Sequence, residues 1–313
     1  MQAAQLRQFI YAGIVGDAFG VPVEFKARGT YQVTQMTGNG TWDQPRGSWS
    51  DDSAMTLALI DNLTTDGNYA DLFEKFQAYM MWGAYTPRDV MFDIGKTCAH
   101  AIRNRFINQL PPTACGDASE FANGNGALMR LAPLAVVLQA EPDLTTRLQV
   151  TADYTKLTHR HPRAILGSYL YLECLHAMLN GASLAEALVQ VSASLSLTLR
   201  HAPDVLAEWS YYAPYLTPTI GTWSVDQIKS TAYVVDTFGA ALWCTAKAQS
   251  IREAIVLAAN LGGDTDTIAT IAASWTAIRY PLQAVPAEWQ AELLNHELLN
   301  KLIEPFVTKY ADK

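Results

Sequence analysis

Apolar residues recur at helical spacing along almost the whole chain. Val234, Phe238, Ala241 and Leu242 line one face, Ile251, Ala254, Ile255 and Ala258 a second, and Ile268, Ile271, Ala272 and Trp275 a third. Ser183 with Glu186, and Ser250 with Glu253, have the spacing of capping boxes and predict helices that begin there. The pattern also predicts a helix over Ala127 to Leu138, one ending near Asn260, and a helix rich in small residues after it. Strand signals are few. Tyr31 to Met36 contains β-favouring residues but adjoins a glycine-rich stretch, Gly38 to Gly47, so the region reads as a long loop. No stretch resembles a flexible linker and no repeat is visible, which predicts an all-α, multi-helix fold in a single domain over residues 1–313.

Half of the residues are apolar and 17% are charged, below the usual quarter or so, so most helices should be buried on more than one side. The net charge of −8 argues against a general electrostatic grip on nucleic acid or an anionic membrane, because both need lysine and arginine massed on one face. Any phosphate-bearing ligand must then be attracted by metals or backbone amides. Cys98, Cys115, Cys174 and Cys244 show no C-x-x-C pattern, so neither a thiolate zinc site nor a disulfide framework is indicated, and a reducing cytoplasm fits best. The apolar stretch Phe9 to Phe19 carries Asp17, lacks a basic leader and is too short to span a bilayer, and no other run reaches about 18 uncharged apolar residues.

Two places hold polar residues that helical packing does not require. Trp49-Ser50-Asp51-Asp52-Ser53 stands directly ahead of a helical pattern, and by itself reads well as a helix start, with serine as N-cap and acids complementing the helix dipole. Leu261-Gly262-Gly263-Asp264-Thr265-Asp266-Thr267 is different, because capping uses one side chain and here three oxygen donors fall within four residues. Magnesium takes a few carboxylates and keeps some waters. Two such turns facing each other could hold two ions roughly 3.5–4 Å apart, whereas uncompensated acid clusters at buried helix ends would be costly.

Taken in order, Gly13-Ile14-Val15-Gly16-Asp17-Ala18-Phe19-Gly20 with Glu24, the Trp49–Ser53 cluster, Gly124-Asn125-Gly126-Ala127-Leu128-Met129-Arg130, Thr158-His159 and the Leu261–Thr267 cluster resemble the ADP-ribosylglycohydrolase family. The matches run from residue 11 to about residue 280. The resemblance implies an all-α fold with a central cleft for two magnesium or manganese ions. It implies Ser50, Asp51, Asp52, Asp264, Asp266 and Thr267 as metal ligands, with Ser50 where the family often has threonine. Glu24 would match the family's glutamate near the metals, Asn123, Gly124, Asn125 and Gly126 would lie against ADP-ribose, and His159 would orient its ribose or phosphate. The activity implied is hydrolysis of the bond between ADP-ribose and an acceptor, either a protein side chain such as arginine or serine or a smaller compound. A hydrolase of another N-glycoside or a phosphoester, and a non-catalytic ADP-ribose-binding relative, are the competing readings.

On chemistry alone the glycines of the Asn123–Gly126 segment read first as the turn into the helix Ala127 to Leu138, and second as letting backbone amides approach a diphosphate, the reading that the resemblance supports. His159 and His161 lack the third ligand a zinc site needs. Arg130 and Pro133 read as packing residues, Phe121 and Tyr154 as adenine-stacking or core aromatics, and Gly29 to Gly47 as a surface connection or a lid bearing Trp42, with Trp49 just beyond it. Hydrolysis at an anomeric carbon needs an activated water and help for the departing group, and Glu24, Asp52 and Asp264 are the candidates for that chemistry. A monomer acting on an ADP-ribosylated protein or small ADP-ribosyl compound is expected.

Overall fold

The computed structural model describes residues 1–312. Its elements are helices and short 3-10 turns, and the only β-type pairings among the described residues are three isolated bridges. The fold is therefore all-α, and the segment Tyr31 to Met36 forms no strand. At the centre stands the helix Thr265–Arg279, whose residues Thr265 to Ala277 are all buried. It packs against Ala3–Gly20, Ile251–Ala259 and Val234–Lys247. A helix enclosed on several sides needs apolar or small residues all round, which the low proportion of charge supplies. One continuous cluster of buried side chains runs from Leu6 to Val307.

The approach of Ala3–Gly20 to Thr265–Arg279 depends on glycine. A Cβ on Gly16 would lie 2.5 Å from the Ala269 carbonyl oxygen, and one on Gly20 would lie 2.4 Å from the Asp266 Cα. Any side chain there would drive the helices apart, and the second acidic turn sits at that crossing.

Helix starts mostly follow the sequence. Ser183 and Glu186 form the full reciprocal box. Ser250 accepts from the Glu253 N–H, but Glu253 reaches back to the N–H of Gln249 rather than that of Ser250, so only half of that box forms. The helix predicted from Ala127 to Leu138 is shorter: a 3-10 turn, Leu128–Arg130, precedes an α-helix at Ala132–Val137. Pro133 explains the break, since it has no N–H to continue a helix yet is welcome in a first turn. The long loop is tied down at several points. Asn260 bonds both Val33 backbone groups, and Gly40 and Gly47 turn at positive φ against the carbonyls of Pro22 and Glu292. Trp49 belongs to the core, donating its indole N–H to the Tyr85 carbonyl at 2.9 Å. All four cysteines are buried and none forms a disulfide. No helix among the described residues is long and apolar enough to cross a membrane.

Candidate metal centre and active-site cavity

The two acidic turns converge. Glu24, Asp51, Asp52, Asp264, Asp266 and Thr267 line one cavity of about 440 Å³, together with Asp93, Gly124, Asn125, Gly126 and His159. Carboxylate oxygens of Glu24, Asp264 and Asp266 all lie within 4.8 Å of one another. The Thr267 hydroxyl donates to Asp52 Oδ2 at 3.2 Å, joining the two turns directly across 215 positions of sequence.

Each turn is held so that its acids face the cavity. Asp264 occupies the N-cap position of Thr265–Arg279 without capping it, and its Oδ2 instead accepts from the Asn125 side chain. Gly262 and Gly263 both adopt positive φ, and a Cβ on Gly263 would lie 2.0 Å from the Ser230 carbonyl oxygen, so this exit requires glycine. At the other turn, Ser50 caps Asp51–Thr64 by accepting from the Asp52 N–H, while Asp17, reaching over from the N-terminal helix, accepts from the N–H groups of Ser50 and Ser53 at 2.9–3.1 Å. Asp17 satisfies helix-start donors that the acids of the turn would otherwise have to serve. Asp51 Oδ2 accepts from the Gly95 N–H at 3.1 Å, and Asp52 Oδ1 is buried without any partner.

The electrostatics of this arrangement are unfavourable as they stand. Burial, reinforced by neighbouring carboxylates, pushes the carboxyls of Asp51, Asp52 and Asp266 well above their usual range. Glu24 is pushed up to about 9 by burial and by Asp264, against the lowering effect of the Trp42 indole N–H on its Oε2. Among the described residues no lysine or arginine forms an ion pair with any of these groups. Five crowded carboxylates, an orphaned buried oxygen and no cationic partner form an oxygen-only donor set that suits a hard divalent cation.

One wall of the cavity comes from the Gly124–Gly126 segment. Neither glycine has positive φ, so backbone conformation does not demand glycine at either position; close approach demands it at Gly126, whereas Gly124 has ordinary contacts. A Cβ on Gly126 would lie 2.8 Å from Cys98 Sγ and 3.1 Å from His159 Cε1. The Asn125 N–H is engaged by the Ala232 carbonyl and the Val234 N–H by the Asn123 carbonyl, which pins the segment to the start of the helix Val234–Lys247. Arg130, fully buried, donates to the Gly126 and Tyr154 carbonyls and so supports the segment from behind. His159 is neutral: burial first, then the charge of Arg130, pushes it down to about 3, and its Nδ1 pairs with the Thr158 hydroxyl at 2.8 Å.

Ser50 and Asn123 are buried but do not line the cavity. His161 caps a helix, its Nδ1 accepting from the Arg163 N–H at 3.1 Å. Tyr154 is a core residue packed edge-on to Tyr69, and Phe121 is 98% exposed. Two residues without a role in the sequence reading belong to the site. Asp17 stands within a quoted motif, but only the fold shows what it bonds. Asp93, pushed up to about 6 by burial and Asp264, lines the cavity from a loop with no periodicity to mark it. A larger groove of about 540 Å³ lies elsewhere, beside Arg147 and Glu173, but that pair is mutually satisfied by two hydrogen bonds of 2.7 Å.

The family model described as ADP-ribosylglycohydrolase matches residues 2–313. The chain belongs to the ADP-ribosylglycohydrolase family. Among the relatives of this glycohydrolase-family chain, the ADP-ribosylarginine hydrolase Tri1 of Pseudomonas putida (strain GB-1) is 30% identical over 293 residues, covering 93% of this chain and 74% of that protein. The ADP-ribosyl-[dinitrogen reductase] glycohydrolase of Rhodospirillum rubrum is 28% identical, covering 89% and 86%. A solved structure titled ADP-ribosylglycohydrolase-related protein complex superposes with a TM-score of 0.73 at 25% identity, covering 99% of both chains. The all-α architecture of the glycohydrolase family is thus shared over essentially the full length.

Proposed function

We propose that this chain hydrolyses the glycosidic bond between ADP-ribose and an acceptor, releasing ADP-ribose, with two magnesium ions (or manganese) held by Asp51, Asp52, Asp264, Asp266 and Thr267. The observation that carries this reading is the meeting of the two acidic turns in one cavity beside the Gly124–Gly126 segment. Names of relatives supply the substrate: one is an ADP-ribosylarginine hydrolase and another acts on ADP-ribosyl-[dinitrogen reductase]. Ser50, the sixth ligand implied by the sequence, contributes as the helix cap and as a partner of Asp52 through its hydroxyl at 3.3 Å.

When bound, the cations would offset the charge of the crowded carboxylates and make a nearby water more acidic. The chain itself must place the substrate and move protons. Asn125, Gly124 and Gly126 offer a surface where backbone can approach a diphosphate without a side chain intervening. His159, neutral and anchored by Thr158, orients the ribose or phosphate as a hydrogen-bonding group rather than as a charge. Hydrolysis at the anomeric carbon develops positive character on the sugar, which the carboxylates of Asp52 and Asp264 favour. Glu24, fixed at Oε2 by Trp42 and lining the cavity, is assigned the proton transfer.

The test is to incubate the protein and Mg²⁺ with ADP-ribosyl-arginine and ADP-ribosyl-serine peptides, scoring free ADP-ribose, alongside generic phosphoesters scored for phosphate. Asp264→Asn should abolish release in a folded protein. Wild-type turnover by that variant, or release of phosphate alone by the wild type, refutes the assignment.

A further inference from the structure

Phe25 sits where an aromatic residue has little structural reason to be. Its φ of 61° lies in the left-handed region that a bulky side chain disfavours, and its ring is 60% exposed. The conformation is imposed from both sides. The Phe25 N–H donates to the Gly263 carbonyl at 2.6 Å, tying it to the second acidic turn, and the Lys26 N–H donates to the Val23 carbonyl at 3.1 Å. The ring thereby lines the cavity instead of joining the core.

It does not stand alone. The Phe25 ring lies edge-on to Trp42 at 6.1 Å, and Trp42 lies 5.8 Å from Phe92, so rings from three separate segments follow one another, and Phe25 is the one of them that lines the cavity. Carboxylates accompany them: Glu24 precedes Phe25 and is bonded by Trp42, and Asp93 follows Phe92, both lining the same cavity. The Gly124–Gly126 segment and His159, assigned above to ADP-ribose, come from other parts of the chain. Electron-rich ring faces flanked by carboxylates complement a flat cation, since a guanidinium can stack on a ring while its N–H groups point at acids. A hydroxyl acceptor offers neither charge nor plane.

Resting on the hydrolase reading, we propose that Phe25, backed by Trp42 and Phe92, is the acceptor-binding face, and that it selects acceptors joined to ADP-ribose through a guanidinium over those joined through a hydroxyl. Phe25 is then a specificity-determining residue. The experiment compares wild type, Phe25→Leu and Phe25→Tyr, each with Mg²⁺, on ADP-ribosyl-arginine and ADP-ribosyl-serine peptides, reading kcat/KM for both. Because the ring is largely exposed, all three should fold, which circular dichroism verifies. The arginine-to-serine ratio of kcat/KM should fall roughly 2- to 30-fold in Phe25→Leu, the range a cation–π contact spans, and be retained in Phe25→Tyr. The fall should appear in KM more than in kcat. An unchanged ratio in Phe25→Leu, or an equal fall in Phe25→Tyr, overturns the acceptor face while leaving the hydrolase reading intact. Failure of the wild type to release ADP-ribose from either peptide overturns the hydrolase reading, and the acceptor face with it.

Discussion

Stripping divalent cations from the protein should invert the ordinary pH dependence of its stability. Glu24 is pushed from 4.5 up to about 9, and Asp17 and Asp93 from 3.8 up to about 6, in each case chiefly by burial. Their folded-state values lie above their unfolded ones, so between about pH 4 and 9 the native state binds protons that the unfolded chain releases. Stability from these groups is complete below the unfolded values and is lost as pH rises through the folded ones. Each retained proton contributes a slope of about 1.4 kcal/mol per pH unit. From pH 5 to pH 8 Glu24 alone therefore removes roughly 4 kcal/mol, and Asp17 and Asp93 add a smaller loss confined to the part below about pH 6. The crowded carboxylates share neighbours, so these losses overlap rather than add. Below about pH 4 the trend reverses, because carboxylates such as Glu304, held low by Arg7, lose their ion pairs. The assay is urea or thermal unfolding across pH 5–8.5 in excess chelator and in saturating Mg²⁺. In chelator, stability should decline steadily with pH. In Mg²⁺ the decline should flatten or reverse, since cations bind the deprotonated ligands. A chelated protein whose stability is flat or rises over that range, or one indifferent to Mg²⁺, refutes the account of the acidic cluster as a cation site.

Gly16→Ala should destabilise the fold by about 1–3 kcal/mol or more, because its Cβ meets rigid backbone, whereas Gly13→Ala, facing the movable Ser274 hydroxyl at 3.0 Å, should be far milder; equal unfolding midpoints for the two would contradict the close-packed crossing. Asp17→Ala leaves the buried Ser50 and Ser53 N–H groups without an acceptor, at about 1–3 kcal/mol each, partly offset by removal of a buried acid. Calorimetric titration should also show weaker Mg²⁺ binding, and unchanged affinity would confine Asp17 to a purely structural role. His159 stays neutral above about pH 4 because burial holds it at about 3. The wild-type kcat/KM profile should thus lack a histidine inflection near pH 6.5, and His159→Gln should raise KM more than it lowers kcat; an inflection abolished by that substitution would show that His159 titrates.

The sequence alone determined the all-α architecture and the identity of the acidic turns, for two local reasons. Helical spacing of apolar residues is written residue by residue, and three oxygen donors packed into Asp264–Thr267 exceed what any cap can use. Glycine at 16 and 20 was visible too, but its purpose was not, because the backbone it must clear belongs to a helix some 250 positions later. Only the tertiary structure decided which acids share a cavity, that Asp17 caps the turn whose Asp51 and Asp52 face that cavity, that Asp93 completes the acidic surround, and that Phe25 and not Trp49 faces the cavity. These depend on contacts between segments remote in sequence. Helix packing and long-range hydrogen bonds fix them and outweigh the cost of burying and crowding like charges; neither the gain nor the cost exists until the chain has folded.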